Sequence, residues 1–409
     1  MKTKAAKIFS SIKYELCIFV LLAIQAITNL YPHFSVGEYI RLYYLIDYSM
    51  GKTSRVLIGS LVKLLNPDPS PEWIAGFCMI VLGAVLLFSA IVIGKVIKCA
   101  DSEIKSQTLV LAAFAITGMF TFSNFSQYLG FLDIWMYILA LIAIFCINNK
   151  YLRWFIPVLC AVGVFVHNAF AMTYFPMIAL IIFYMAVTKE KKIADSLIFA
   201  VSCIITAVLT LWVSVKGAST ATITYEQLFE VLRNKGGFTY SDTGIDIIAF
   251  YLLDIPPENT GVTPEMAAGA SVLERFLLMA KVNLADISLS HTVSLASFGG
   301  AVVAAFATVW VKCIKNTESK GRKFVYLCFM LSVLTIPLGM LIANDFIRWF
   351  QSAIMTQFAL AMFMIVMKDE PFKRTAQQLG EYFKDKTVLL VIMFIVYVTV
   401  QPYGLSALK

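Results

Sequence analysis

The chain has 409 residues, of which 60% are hydrophobic and 14% charged, and its formal charge is +8. Soluble domains run nearer half apolar and a quarter charged. A soluble enzyme, a disordered chain and a nucleic-acid-binding domain are therefore excluded.

A hydrocarbon layer of about 30 Å takes about 20 apolar residues per spanning helix. Polar breaks divide this chain into eleven such stretches, near 15–31, 73–94, 106–123, 131–148, 153–167, 169–187, 194–215, 291–311, 324–343, 349–367 and 388–403. The expected fold is an all-α polytopic membrane protein, a single integral membrane domain over 1–409. Two long outer-face loops, 32–72 and 216–290, are expected to carry amphipathic helices. The fifth and sixth spans share one apolar run, 154–187, which divides at His167–Asn168.

The distribution of Lys and Arg orients these spans. With Lys2, Lys4, Lys7 and Lys13 in the cytoplasm, the inner segments hold 22 of the 33 basic residues, and the acids favour the outer side. The N-terminus is then cytoplasmic and the C-terminus outside, in a bacterial plasma membrane. The positive charge is an anchor drawn to anionic headgroups, so membrane lipids are its partner and no nucleic acid is needed. No small-residue cleavage pattern follows Leu30, so the first apolar stretch reads as an uncleaved span. The eight cysteines avoid both long loops and form no CxxC pair, which argues against a disulfide framework or a structural zinc.

The first loop places GEYIRLYYLIDY and then RVLIGSLVKLL between its turns. Apolar groups at helical spacing beside Tyr and charged residues fit helices lying in the interface plane; the plainer alternative is a surface helix packed on the bundle. The prolines of NPDPSPEW end the segment. The second loop is too long to be structureless in a compact protein. It has helix-like pieces in YEQLFEVLRN and EMAAGASVLERFLLMAKVNL and a break at Gly236–Gly237. Its Arg233, Lys235, Arg275 and Lys281 are either solvated or open to an anionic ligand.

Ionisable groups at membrane depth are costly and mark functional positions. Here they gather at the expected outer boundary: Asp47 and Arg55 in the first loop, Asp133 at the start of the fourth span, and His167 and Asn168 between the fifth and sixth. His291 opens the eighth span, and Asp345 and Arg348 lie between the ninth and tenth. Each has a structural alternative. Asp345 and Arg348 could pair on one helical turn, His167 could satisfy backbone groups, and Asp133 could face a helix N-terminus. Their common depth suits a lipid-linked substrate, whose phosphate sits at headgroup level. Arg55 and Arg348 would hold that phosphate, and Asp47, Asp133 or His167 would deprotonate an acceptor hydroxyl. The long loops would exclude water.

A first span followed at once by a long outer loop with interfacial helices and an acid resembles the GT-C glycosyltransferases. The span count, large outer loops and outer arginines are also similar to O-antigen-polymerase-type proteins. The resemblance is one of layout and implies transfer from a polyprenyl-phosphate-linked sugar, with Asp47, or Glu38 nearer the span, as the base. The chain has no paired acids directly after the first span and no WWD-like motif in the later loop. No cofactor is called for; a divalent metal on the outer carboxylates is an option without a ligand spacing behind it. Two other functions stay open: a transporter or flippase for a lipid-linked or anionic solute, and a non-catalytic membrane scaffold.

Overall fold

The computed structural model describes residues 4–31, 34–118, 120–188, 192–216, 220–234, 248–249, 252–253, 289–342 and 346–399, with isolated helical positions between 274 and 281. Among them the protein is helical with no strand. Seven helical stretches are long and apolar enough to cross a membrane: Ser11–Leu30, Pro71–Cys99, Ser102–Gln127, Asn168–Thr188, Ile193–Val215, Lys320–Leu341 and Ile347–Val366. Many large apolar side chains on them face outward, such as Leu21, Ile24 and Ile27, or Ile204, Val208 and Leu211. Water would not tolerate so wide an apolar surface; hydrocarbon does. This is an all-α, multi-pass membrane protein.

The helices are α1 (Lys4–Leu30), α2 (Glu38–Leu42), α3 (Val56–Leu65), α4 (Pro71–Cys99), α5 (Lys105–Thr117), α6 (Phe122–Gln127), α7 (Asp133–Ile147), α8 (Ile156–Val166), α9 (Phe175–Thr188), α10 (Lys192–Lys216) and α11 (Tyr225–Asn234). After these come α12 (Leu289–Lys315), α13 (Lys320–Leu331), α14 (Thr335–Ile342), α15 (Phe346–Val366), α16 (Glu370–Lys384) and α17 (Thr387–Thr399). Of the eleven expected spans, the fourth, fifth and eleventh correspond to the shorter α7, α8 and α17. The eighth lies within the 27 residues of α12.

Local chemistry explains the boundaries. Ser70 caps α4 by accepting from the Trp73 N–H, and Pro71 takes the first turn, where its missing N–H costs nothing. The third span is interrupted because the hydroxyls of Thr121 and Ser123 donate to the Gly118 carbonyl at 2.6 and 3.0 Å. The chain then restarts as α6. The break expected at His167–Asn168 is present. His167 is extended after α8, and a 3₁₀ turn over Asn168–Ala171 leads toward α9.

The first loop folds as α2, a run of turns and α3. A Cβ on Gly59 would come within 1.9 Å of the Ile46 carbonyl oxygen, so only glycine lets α3 lie on the preceding turn. One face of α3 is buried through Val56, Ile58 and Val62, while Leu61, Leu64 and Leu65 are exposed. In the second loop, Thr224 and Gln227 form a reciprocal capping box at the start of α11. The two loops are joined: Thr222 donates to the carbonyls of Ser49 and Met50, and the Lys52 N–H donates to Thr220 Oγ1.

At the centre lies α15, with Ile354, Leu360 and Met364 sealed from the surface. It carries two buried glutamines. Gln351 accepts from Asn124 at 2.7 Å and donates to the Thr121 carbonyl. Gln357 accepts from the Trp310 indole and donates to the Phe329 carbonyl and Ser332 Oγ.

Candidate functional site

The first residue of α7 and the third of α15 meet. Arg348 Nε lies 2.6 Å from Asp133 Oδ2, the side chains being 16% and 4% exposed. The N–H is poorly aligned with the oxygen, so the contact is an ion pair more than a directed hydrogen bond. In hydrophobic surroundings such a pair is held by mutual attraction against a desolvation penalty of several kcal/mol per ion.

The Arg348 guanidinium stands 5.2 Å from the centre of the Phe131 ring. Phe131 meets Tyr39 edge-on at 6.2 Å, Tyr39 meets Tyr43 at 5.2 Å, and the Arg55 guanidinium lies 5.8 Å from Tyr43. The hydroxyls of Tyr39 and Tyr43 are hydrogen-bonded, and Arg55 Nη1 donates to Tyr43 at 3.2 Å. A continuous run of rings therefore links two arginines from distant parts of the chain. Arg55 is buried and adopts a left-handed backbone, φ 75°. Its N–H donates to the Phe165 carbonyl at the end of α8. That conformation costs a non-glycine residue about 1–2 kcal/mol, and here it aims a cation inward.

His167 belongs to the same group. It is buried, and its Nδ1 accepts from the Ala169 N–H at 3.0 Å. Arg55 and Arg348 are its charged neighbours. An Nδ1 that accepts carries no proton, so the ring is neutral with its proton on Nε2, which makes His167 a hydrogen-bond donor toward the site in this tautomer. Asn168 touches it. Tyr174, just before α9, is fully buried with its hydroxyl unpaired, near Asp133 and Arg348.

Thus Asp133, His167, Asn168, Arg55 and Arg348 come together. Asp47 is engaged within its own loop. Its carboxylate pairs with Lys63 at 2.8 Å and accepts from the Ser49 N–H and hydroxyl. Burial raises its pKa, but these partners outweigh that and hold it below the usual aspartate range. Glu38, itself exposed, pairs with the largely buried Arg41 at 3.7 Å. Asp345 and the His291 side chain lie outside the described residues, as do Lys235 and Arg275. The described partner of Arg348 is Asp133, from another helix. Tyr39, Tyr43, Phe131 and Tyr174 are additions that sequence reasoning missed: the first-loop tyrosines read as interfacial anchors, and Phe131 and Tyr174, among apolar residues, gave no signal of a site.

The opposite end of the bundle holds a second polar centre that the sequence did not single out. Asp369 accepts from Tyr184 and Tyr326 at 2.7 and 2.5 Å, caps α16 through the Phe372 N–H, and pairs with Arg322 at 3.5 Å. With every oxygen so occupied, it ties α9, α13 and α16 together. Among the described residues, no three His, Cys, Asp or Glu side chains gather as a metal-holding group. No family model, curated protein or solved structure matches the chain.

Proposed function

We propose that this protein is a membrane glycosyltransferase or glycan polymerase that uses a polyprenyl-phosphate-linked sugar at the extracytoplasmic face. The reading takes all eleven stretches as spans, with the N-terminus in the cytoplasm and the Arg348 end outside. The observation that carries it is the Arg348–Asp133 pair, set beside a second arginine and a neutral histidine at the ends of apolar helices. That is the level at which a lipid phosphate would arrive.

In this mechanism Asp133 neutralises Arg348 until substrate binds. The phosphate of the lipid-linked sugar replaces the carboxylate on the guanidinium, an anion exchange that keeps the buried charge balanced. Arg55 adds a second positive charge, and the His167 Nε2–H donates to a phosphate oxygen. Asp133, having lost its cation, becomes more basic and takes the proton of the acceptor hydroxyl. The acceptor oxygen bonds to the anomeric carbon as the bond from that carbon to the phosphate oxygen breaks. The departing lipid phosphate carries its electron pair away against Arg348. The rings of Tyr39, Tyr43 and Phe131 offer faces to the sugar. Asp47 shapes the loop in this scheme.

The test is glycan formation in membranes lacking the native protein and supplied with wild type, R348A, D133N or D47N. Loss of product with accumulation of its lipid-linked precursor is expected for R348A and D133N, at wild-type levels of inserted protein. Wild-type product from both would overturn the assignment.

A further inference from the structure

At the Asp369 end, a cavity of about 490 Å³ opens between α12 and α16. Its apolar wall is Ala307, Thr308 and Val311, and its far end is Lys312 and Lys315. Lys315 and Asn316 are shared with a second recess of about 350 Å³, where Glu318, Glu370, Arg322 and Arg374 face the space. The floor is fixed, because Asn316 Nδ2 donates to Thr375 Oγ1 at 2.9 Å and to Gln378 Oε1 at 3.1 Å.

Several cations at this end are held by carboxylates. Arg322 pairs with Asp369, Lys373 with Asp101 and Glu103, Lys368 with Asp101, Lys98 with Glu15, and Arg153 with Asp195. No described carboxylate pairs with Lys312 or Lys315. Along α12 the exposed residues Ala301, Ala304, Thr308, Val311 and Lys315 follow one another at spacings of three and four. They form a single strip, a shallow apolar track that ends at a positive charge.

We infer that this groove is a binding site for an anionic phospholipid with a hydroxylated headgroup, of the phosphatidylglycerol type. One acyl chain lies on the α12 track, and the phosphate sits between Lys312 and Lys315. The headgroup hydroxyls donate to Glu318 and Glu370 in the adjoining recess. A free phosphate would use the lysines but leave the apolar track empty. A carboxylate-bearing headgroup would meet the two glutamates. Basic recesses beside spanning helices recognise lipid headgroups in this way.

The experiment is native mass spectrometry of the full chain, released from nanodiscs of phosphatidylcholine with and without phosphatidylglycerol. Retained phosphatidylglycerol in preference to phosphatidylcholine is expected. In K312Q/K315Q its apparent affinity should fall roughly 30-fold, from about fivefold per lysine near the surface. The charge-matched variant K13Q/K150Q, altered at exposed lysines of the same end, should retain it. No preference in wild type, or equal losses in the two double variants, would overturn the inference. Because the site is remote from Arg348, either result leaves the transferase reading to its own test.

Discussion

Removing the positive half of the Arg348–Asp133 pair should cost more than removing the negative half. In R348Q the Asp133 carboxylate, 4% exposed, is left charged with its nearest described cation gone. Breaking a buried pair in this way costs about 3–5 kcal/mol. In D133N the remaining charge belongs to Arg348, which at 16% exposure can swing toward the surface, so roughly half that loss is expected. The double variant D133N/R348Q leaves two amides that can bond to each other and no stranded ion. It should therefore be no less stable than R348Q, with a coupling of about 2 kcal/mol, inside the range for residues in contact. Unfolding in mixed micelles, titrated with a denaturing detergent and followed by tryptophan fluorescence, measures all three variants. Additive single losses in the double variant, to within about 0.5 kcal/mol, would mean that the two groups do not act on each other as the 2.6 Å contact requires.

Other expectations are local. Arg55 has a left-handed backbone, so R55G should be more stable than R55A by about 1 kcal/mol, and both should lose glycan product; an R55A variant as stable as R55G would count against backbone strain there. At Gly51 an added Cβ would sit 3.2 Å from Leu252 and 3.3 Å from the Ala221 backbone. G51L should then part the two loops, read as faster amide exchange at Lys52 and Thr222, and unchanged exchange would refute the docking. Asp47 has a folded pKa below the ordinary 3.8, so its contribution is complete above that value and is lost as pH falls through the depressed one. Proteolysis of the first loop should quicken over that acid range in wild type, and in D47N this dependence should vanish.

Apolar run length and the placement of rare charges made the membrane class and many helix positions legible. His167–Asn168 was legible as a break because it interrupts hydrocarbon with two polar groups. Asp133 and Arg348 stood out for their cost at depth, yet their pairing was not legible. They are 215 positions apart in the numbering, and the near neighbour Asp345 offered Arg348 a simpler local partner. Asp47 illustrates another difficulty: its place in a long loop after the first span suggested a base, and nothing in the sequence pointed to its pairing with Lys63 and Ser49. Asp369 was not singled out because Tyr184 and Tyr326, which bury it, come from other helices. Gln351 and Gln357 were hidden in the same way, since a lone amide in an apolar helix reveals nothing of its partners.

Those two glutamines bear on the order in which the molecule can be assembled. Helix α15 has the lowest hydropathy of the seven long apolar stretches, 1.5, and is the most enclosed. Released alone into lipid, it would expose two amides with nothing to bond. Each described partner of those amides, Thr121, Asn124, Trp310, Phe329 and Ser332, comes earlier in the chain. During synthesis from the N-terminus, the receptors for α15 are therefore made before α15 itself. The helix least able to live in hydrocarbon enters a bundle that already holds a place for it.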